Sequence, residues 1–187
     1  MTTMQPEQGK SFKNTVEHSR LGDAFFQRDV LKVAPELVGR LLVRSFPNGT
    51  VKRYMILEVE AYRGEEDLAC HAAKGRTSRT EVMYAPGGSI YIYLIYGMYW
   101  MLNFVTSVKG NPQAVLLRGI EGFNGPGKLS RALELDKSFY GEKLSLSTRL
   151  WVEESGNKPS IICTPRIGID YAGPEWKGKL WRWVAEK

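Results

Sequence analysis

Three groups of residues in this 187-residue sequence carry side chains able to do chemistry. The first is Glu60-Ala61-Tyr62, followed by His71. A carboxylate set in apolar sequence is costly to bury unless it is paired or put to use. As a general base, Glu60 would take a proton from a water attacking an electron-poor carbon. Two solvated surface carboxylates, Glu58 and Glu60, would give the same pattern, and the strand alone favours that reading. The second group is Tyr91, Tyr93, Tyr96 and Tyr99. Tyrosine rings stack on bases and their hydroxyls hydrogen-bond. Gly97 permits a tight turn, so Tyr96 would project from a hairpin tip, where a large side chain can enter a base stack from the minor groove and fill the vacated space. For Tyr91 and Tyr99, ordinary aromatic pairing across strands is an equal alternative.

The third group is Gly122-Phe123-Asn124-Gly125-Pro126-Gly127-Lys128, a near match to a phosphate-binding loop. Leu129 stands where a magnesium-binding hydroxyl would be needed, and Pro126 removes a backbone donor. Both defects argue against nucleoside triphosphate binding, while a basic helix N-terminus facing a DNA phosphate stays open. Metal chemistry has little support. The only histidines are His18 and His71, and Cys70 beside His71 lacks the partners of a zinc shell. No lysine lies in an apolar stretch that would favour a Schiff base. The expectation is therefore a site with no metal and no cofactor.

The elements that must position these groups follow from the pattern. Asp29 is placed to cap a helix through Val30, Leu31, Val33 and Ala34, kinked or divided at Pro35 and ending near Val38. Leu41–Phe46 and Val51–Tyr62 read as strands joined by the turn Pro47-Asn48-Gly49-Thr50. In the second strand Met55, Leu57, Val59 and Ala61 share a core face, with Glu58, Glu60 and Tyr62 on the other. Residues 63 to 88 read as a long irregular segment, a type that tends to be functional. Ser89–Ile95 and Met98–Val105 form a hairpin with Tyr96-Gly97 at its tip, and a continuous buried strand is the competing reading. Ala114–Ile120 is a further strand, Lys128–Leu135 a helix, and Ser160–Val184 more strands.

Composition sets the class. Hydrophobic residues are 43% and charged residues 25%, as in ordinary globular proteins. Lys and Arg total 26 against 20 Asp and Glu, a net charge of +6, with a pI near 9.3. The surplus favours nucleic acid, an anionic membrane surface or an acidic substrate. Two cysteines, Cys70 and Cys163, exclude a disulfide-dense scaffold and leave a single bridge open. No apolar run reaches the length of a membrane span and no signal-peptide core is present, so the expected location is intracellular with no membrane partner. Residues 1–20 are expected to be a flexible tail and residues 21–187 one catalytic domain.

Five blocks now fall into order: LEVEAYRGEEDLACHA, YIYLIYGMYWMLN, AVLLRGIE, GPGKLSRAL and RIGIDYAG. Together they resemble the alkyladenine (3-methyladenine) DNA glycosylase family, over about residues 21 to 185. The resemblance implies an α+β fold, a single mixed domain around a curved antiparallel β-sheet with flanking helices and a protruding β-hairpin. It implies a monofunctional, metal-free enzyme of base excision repair, acting as a monomer on the minor-groove side of double-stranded DNA. By the same resemblance Glu60 is the catalytic base and Arg118 helps hold that carboxylate and its water. Tyr96 is the intercalating wedge. Tyr62, His71 and Tyr93 wall the pocket of the flipped purine, Asn103 crowds a guanine amine, and Ile167 occupies a branched apolar pocket position. Thr80, in RTSRT, departs from the asparagine more usual there, and Tyr99 and Ile167 vary within the family, so lesion range does not carry over. Two rivals share some features: a non-catalytic DNA-binding module, and a carbohydrate hydrolase using Glu58 and Glu60.

Overall fold

Apolar spacing at i, i+3, i+4 and i+7 builds the first substantial element. The computed structural model describes residues 19–186, so the expected tail, with His18, lies almost wholly outside the described residues. A short helix α1 (Asp23–Phe26) leads into α2 (Val30–Leu37), whose Val30, Val33, Ala34 and Leu37 are all buried. Burial of each valine or leucine contributes about 1.5–3 kcal/mol. Asp29 Oδ1 accepts the Leu31 N–H at 2.9 Å, the expected cap, and Gln113 Oε1 accepts the Val30 N–H at 2.8 Å. Of the two expected outcomes at Pro35, a kink or a division, the division is absent. One helix runs through it and stops two residues later, because its buried face outweighs the single donor that proline lacks.

The strands are β1 (Leu41–Ser45), β2 (Val51–Arg63), β3 (Ile90–Ile95), β4 (Tyr99–Thr106), β5 (Gln113–Ile120), β6 (Phe123–Asn124), β7 (Leu150–Glu153), β8 (Ile161–Thr164) and β9 (Arg182–Ala185). Among the described residues they form one open antiparallel sheet ordered β3-β4-β5-β2-β1-β7, with β6 on β5 and the β8–β9 pair joined to β2. Helices α3 (Pro126–Ala132) and α4 (Gly173–Gly178) complete an α+β architecture, and the β3–β4 hairpin is the expected one. The long β2 is the spine. Its first half pairs with β1, and its second half lies between β5 and β9.

One face assignment changes. The expected core face of β2 was Met55, Leu57, Val59 and Ala61, but the core contains Ile56, Val59 and Ala61, with Tyr54 packed against it. The β2–β5 register shifts on both sides of Glu58, and a bulge there switches which residues face inward. Beyond it the alternation holds, so Glu58, Glu60 and Tyr62 share the opposite face as expected.

The segment 63–88 contains two 3₁₀ turns, His71–Lys74 and Glu81–Tyr84. Cys70, Ala72, Val82, Met83 and Tyr84 anchor it on Tyr91, Val105 and Ala114. Only β8 and β9 occupy the expected strand region Ser160–Val184. A 3₁₀ turn (Asp170–Ala172) and α4 intervene, started by Gly173 at φ +84° and a proline in the first turn. Strand β7 lies in a stretch for which no strand was expected. Helix α3 begins at Pro126, two residues earlier than the expected Lys128, again with proline in its first turn. Cys70 is buried, Cys163 exposed and both are free, so no bridge forms. Among the described residues no helix is long and apolar enough to cross a membrane.

Candidate active site

Glu60 stands in the middle of β2, with Leu116 of β5 opposite on one side and Arg182 of β9 on the other. Pairing on both edges and a covering loop leave it 0% exposed. Its carboxylate is ringed by donors. The Ile167 N–H reaches Oε1 at 2.8 Å and the Tyr62 hydroxyl reaches Oε2 at 2.9 Å. Arg118 lies farther out, Nη1 at 3.4 Å from Oε2 and Nε at 3.4 Å from Oε1. Burial pushes the Glu60 carboxyl pKa up, while the Arg118 charge, the Ile167 N–H and the Tyr62 hydroxyl pull it down. A carboxylate held this way is ionised by its donors yet is a stronger proton acceptor than one in water.

Tyr62 is locked as a donor, since burial and then the adjacent Glu60 charge raise its pKa well above the ordinary tyrosine value. The Arg166 guanidinium lies 4.9 Å from its ring centroid. Arg166 and Asp67 form a fully buried bidentate pair, at 2.6 and 2.9 Å, and Arg166 also donates to the Ala61 carbonyl at 2.9 Å. This pair fixes β2 to the segment that carries Ile167. Asp67 further accepts the Arg63 and Ala69 N–H groups, so its charge is satisfied on every side.

Tyr62, His71, Tyr91, Tyr93 and Asn103 line a recess of about 40 Å³, too narrow as it stands for a planar bicyclic ring. It opens into a cleft of about 810 Å³ that reaches Tyr96, Arg118, Lys128 and Ile167. His71 Nδ1 lies 2.8 Å from the Tyr91 hydroxyl, and Arg79 Nη2 lies 3.3 Å from Nε2. Arginine can only donate, so Nε2 accepts and Nδ1 carries the proton. Burial and then the Arg79 and Lys74 charges lower the His71 pKa to about 4, which keeps the ring neutral. Tyr93 meets His71 edge-on at 4.6 Å between centroids and has Arg79 4.9 Å from its own. Asn103 gives its amide hydrogens to the Tyr91 and Met101 carbonyls at 3.2 and 3.0 Å, leaving its oxygen as the group it can present to the recess.

The structure thus brings Tyr62, His71, Tyr93 and Asn103 around the recess and Arg118 into the cleft, with Glu60 buried against Tyr62 and Arg118. Tyr96 stands apart at the tip of β3–β4, 83% exposed, with φ +52° followed by Gly97 at +66°. Positive φ at both turn residues is what a type I′ hairpin demands, and it costs a tyrosine about 1–2 kcal/mol. Ile167 lines the cleft, 49% exposed, and its backbone N–H holds Glu60.

Sequence reading missed Arg79, Asp67, Arg166, Tyr171 and Arg182. Arg166 could have been flagged by its place just before Ile167. The Asp67–Arg166 and Glu58–Arg182 contacts join residues too far apart in the chain to leave a local signal. Glu58 and Glu60 both lie within 3.4 Å of one nitrogen, Arg118 Nε. Carboxylates clasping one guanidinium leave no room for a sugar between them, which removes the carbohydrate-hydrolase arrangement. Among the described residues no group of three His, Cys, Asp or Glu side chains is placed to hold a metal ion.

The sequence matches the family model described as methylpurine-DNA glycosylase over residues 24–123 and 121–187. A protein of Natranaerobius thermophilus named "Putative 3-methyladenine DNA glycosylase" is 42% identical over 187 residues, covering 87% of this chain and 93% of its own. Proteins of the same name from Desulfitobacterium hafniense and Wolbachia pipientis are 43% and 46% identical, covering 89% and 84% of this chain and 95% and 87% of their own lengths.

Proposed function

This chain belongs to the methylpurine-DNA glycosylase family, and from that membership we propose that it flips alkylated or deaminated purines out of duplex DNA and hydrolyses their N-glycosidic bond. It is a DNA-repair hydrolase of the N-glycosylase class. Its substrates in this reading are 3-methyladenine, hypoxanthine and related lesions, and its product is an abasic site for base excision repair. The observation that carries the reading is the buried Glu60, ringed by donors beneath an aromatic recess.

The chain works as a monomer from the minor-groove side, with neither metal nor cofactor. Tyr96 enters the stack and takes the place of the extruded nucleotide. The purine lies between Tyr62 and the Tyr93–His71 pair, and neutral His71 meets its edge. Asn103, its amide fixed by two carbonyls, cannot retreat from the exocyclic amine of guanine. As the C1′–N bond breaks, its electron pair leaves with the base and the sugar gains oxocarbenium character, which the Glu60 charge stabilises. A water held by Glu60 and Arg118 adds its oxygen to C1′ and gives its proton to Glu60. In this reading the nucleophile is water, activated by the buried carboxylate, rather than a lysine amine. A cationic base such as 3-methyladenine departs neutral, whereas hypoxanthine takes a proton from solvent.

The test is release of 3-methyladenine and hypoxanthine from duplex DNA by wild type and Glu60→Gln. The variant should bind lesion DNA and lose about 10²–10⁴-fold in rate. Equal release by both proteins refutes the reading, and binding without release by either makes the chain a DNA-binding module instead.

A further inference from the structure

Glu58 faces the same side of β2 as Glu60 and has no part in the chemistry above. Arg118 Nε donates to its Oε1 at 3.1 Å, closer than either Arg118 contact with Glu60. Arg182 Nη1 donates to the same oxygen at 2.8 Å, and Arg182 Nε donates to the Pro165 carbonyl at 3.0 Å. Pro165 lies two residues before Ile167, whose N–H binds Glu60. Space for this cluster depends on Gly119, opposite Glu58 on β5, where a Cβ would come within 3.2 Å of the Glu58 Cβ. Glu58 is thus the single point at which the holder of Glu60 on β5 and the anchor of its loop meet.

We propose that Glu58 is a positioning residue for the glycosylase reaction, drawing Arg118 partly off Glu60 and, through Arg182, fixing the loop that presents the Ile167 N–H. The proposal rests on Glu60 being the catalytic base. Two arginines and two carboxylates form a balanced set, so each Glu60–Arg118 contact stays at 3.4 Å instead of closing into a tight bidentate pair. The loose contact leaves both Arg118 and Glu60 free to hold a water, and keeps Glu60 basic. The groups facing Glu60 are Arg118 from β5, Arg182 from β9, Glu58 and Tyr62 from β2, and Tyr93 and Tyr171 across the cavity. Arg166, behind Tyr62, is neutralised by Asp67.

Each partner of Glu58 gives a distinct signature. In Glu58→Gln the side chain keeps its shape and loses its charge, so Arg118 closes on Glu60 and a neighbouring negative charge disappears. Both changes lower the Glu60 pKa. In Arg182→Met, Glu58 is left with Arg118 alone and pulls it away from Glu60, which raises that pKa. The experiment is single-turnover base release from a 3-methyladenine duplex against pH, for wild type, Glu58→Gln, Arg182→Met and Glu60→Gln. The expected result is a rate about tenfold lower in Glu58→Gln with the acid limb moved down by about half a pH unit, and an upward move in Arg182→Met. A structural defect would slow both variants without moving their limbs in opposite directions. Limbs that stay put, or move together, overturn the proposal while an inactive Glu60→Gln leaves the reading of Glu60 intact. Wild-type rates in Glu60→Gln sink that reading itself. If Glu58→Gln does not fold, the direction of the Arg182→Met shift decides alone.

Discussion

Replacing Tyr96 by glycine should make the protein more stable and less able to release a lesion. Tyr96 occupies the left-handed region at φ +52° with its ring 83% exposed. Few folded-state contacts are lost with the ring. The backbone relief is about 1–2 kcal/mol, offset by about 0.5–1 kcal/mol for the extra freedom glycine has when unfolded. The net gain, up to about 1.5 kcal/mol, raises the melting temperature by up to roughly 6 °C for a chain of this size. Tyr96→Ala keeps the strain and should melt within error of wild type. Both variants lose the proposed wedge. Aromatic stacking in DNA is worth about 1–3 kcal/mol, so the extruded state should be disfavoured roughly 5- to 150-fold. Calorimetry gives the stability order, and single-turnover base release with fluorescence of an unstacked 2-aminopurine reporter gives the extrusion step. A glycine variant that is fully active would refute the wedge. One that melts lower than the alanine variant would refute the strain.

Three further outcomes follow from the same geometry. Asp67→Asn leaves Arg166 buried without its counter-charge, which should cost about 3–5 kcal/mol and lower the melting temperature by about 6–20 °C; a drop under 2 °C would show that the pair is not a strut. His71 has its folded-state pKa lowered to about 4 from an ordinary 6.5. The unfolded chain therefore binds its proton first, and the stability tied to the neutral ring is full above pH 6.5 and is lost as pH falls toward 4. The wild-type melting curve should fall below that of His71→Gln over this window relative to pH 8, and parallel curves would sink the assignment. DNA binding should weaken steeply with salt, and Lys128→Gln, on the cleft rim, should reduce the slope of log K against log salt by about one. An unchanged slope removes Lys128 from the phosphate path.

What could be read in the sequence was whatever repeats over a few residues. The helical spacing of Val30, Val33 and Ala34, the Asp29 cap and the Pro47–Thr50 turn are local signals, and each appears in the structure, though Leu31, read with them, is only half-buried. The shared face of Glu58, Glu60 and Tyr62 was legible for the same reason. The bulge beside Glu58 was not, since an extra residue in one strand is defined only against its partner, and so Leu57 was placed in the core where Ile56 belongs. The roles of Asp67, Arg166 and Arg182 depend on contacts across the fold that no spacing encodes. Ile167 shows the limit most clearly, because its visible contribution to Glu60 is a backbone N–H, which any residue but proline would supply.

The recess and the carboxylate set opposite demands on the same wall. As the proposed base, Glu60 must stay dry enough to remain basic, and its complete burial under Tyr62, Arg118 and the Ile167 loop achieves that. A purine, however, needs more than the 40 Å³ the recess now offers. The wall able to yield is the one without a buried strut. Tyr62 is backed by the Asp67–Arg166 pair, and Asn103 is pinned by two carbonyls. Arg79 rests over Tyr93 and His71 through one long hydrogen bond, a cation–π contact and a bond to the Tyr91 hydroxyl. Those contacts are weak beside what a guanidinium gains from a phosphate, on the order of twice a neutral hydrogen bond. If a DNA phosphate draws Arg79 outward, the Tyr93–His71 side is freed while Glu60 and its holders stay fixed. Widening by this route predicts that Arg79→Gln binds a free modified purine more readily than wild type and duplex DNA less readily. Loss of both affinities together would place Arg79 in the wall itself.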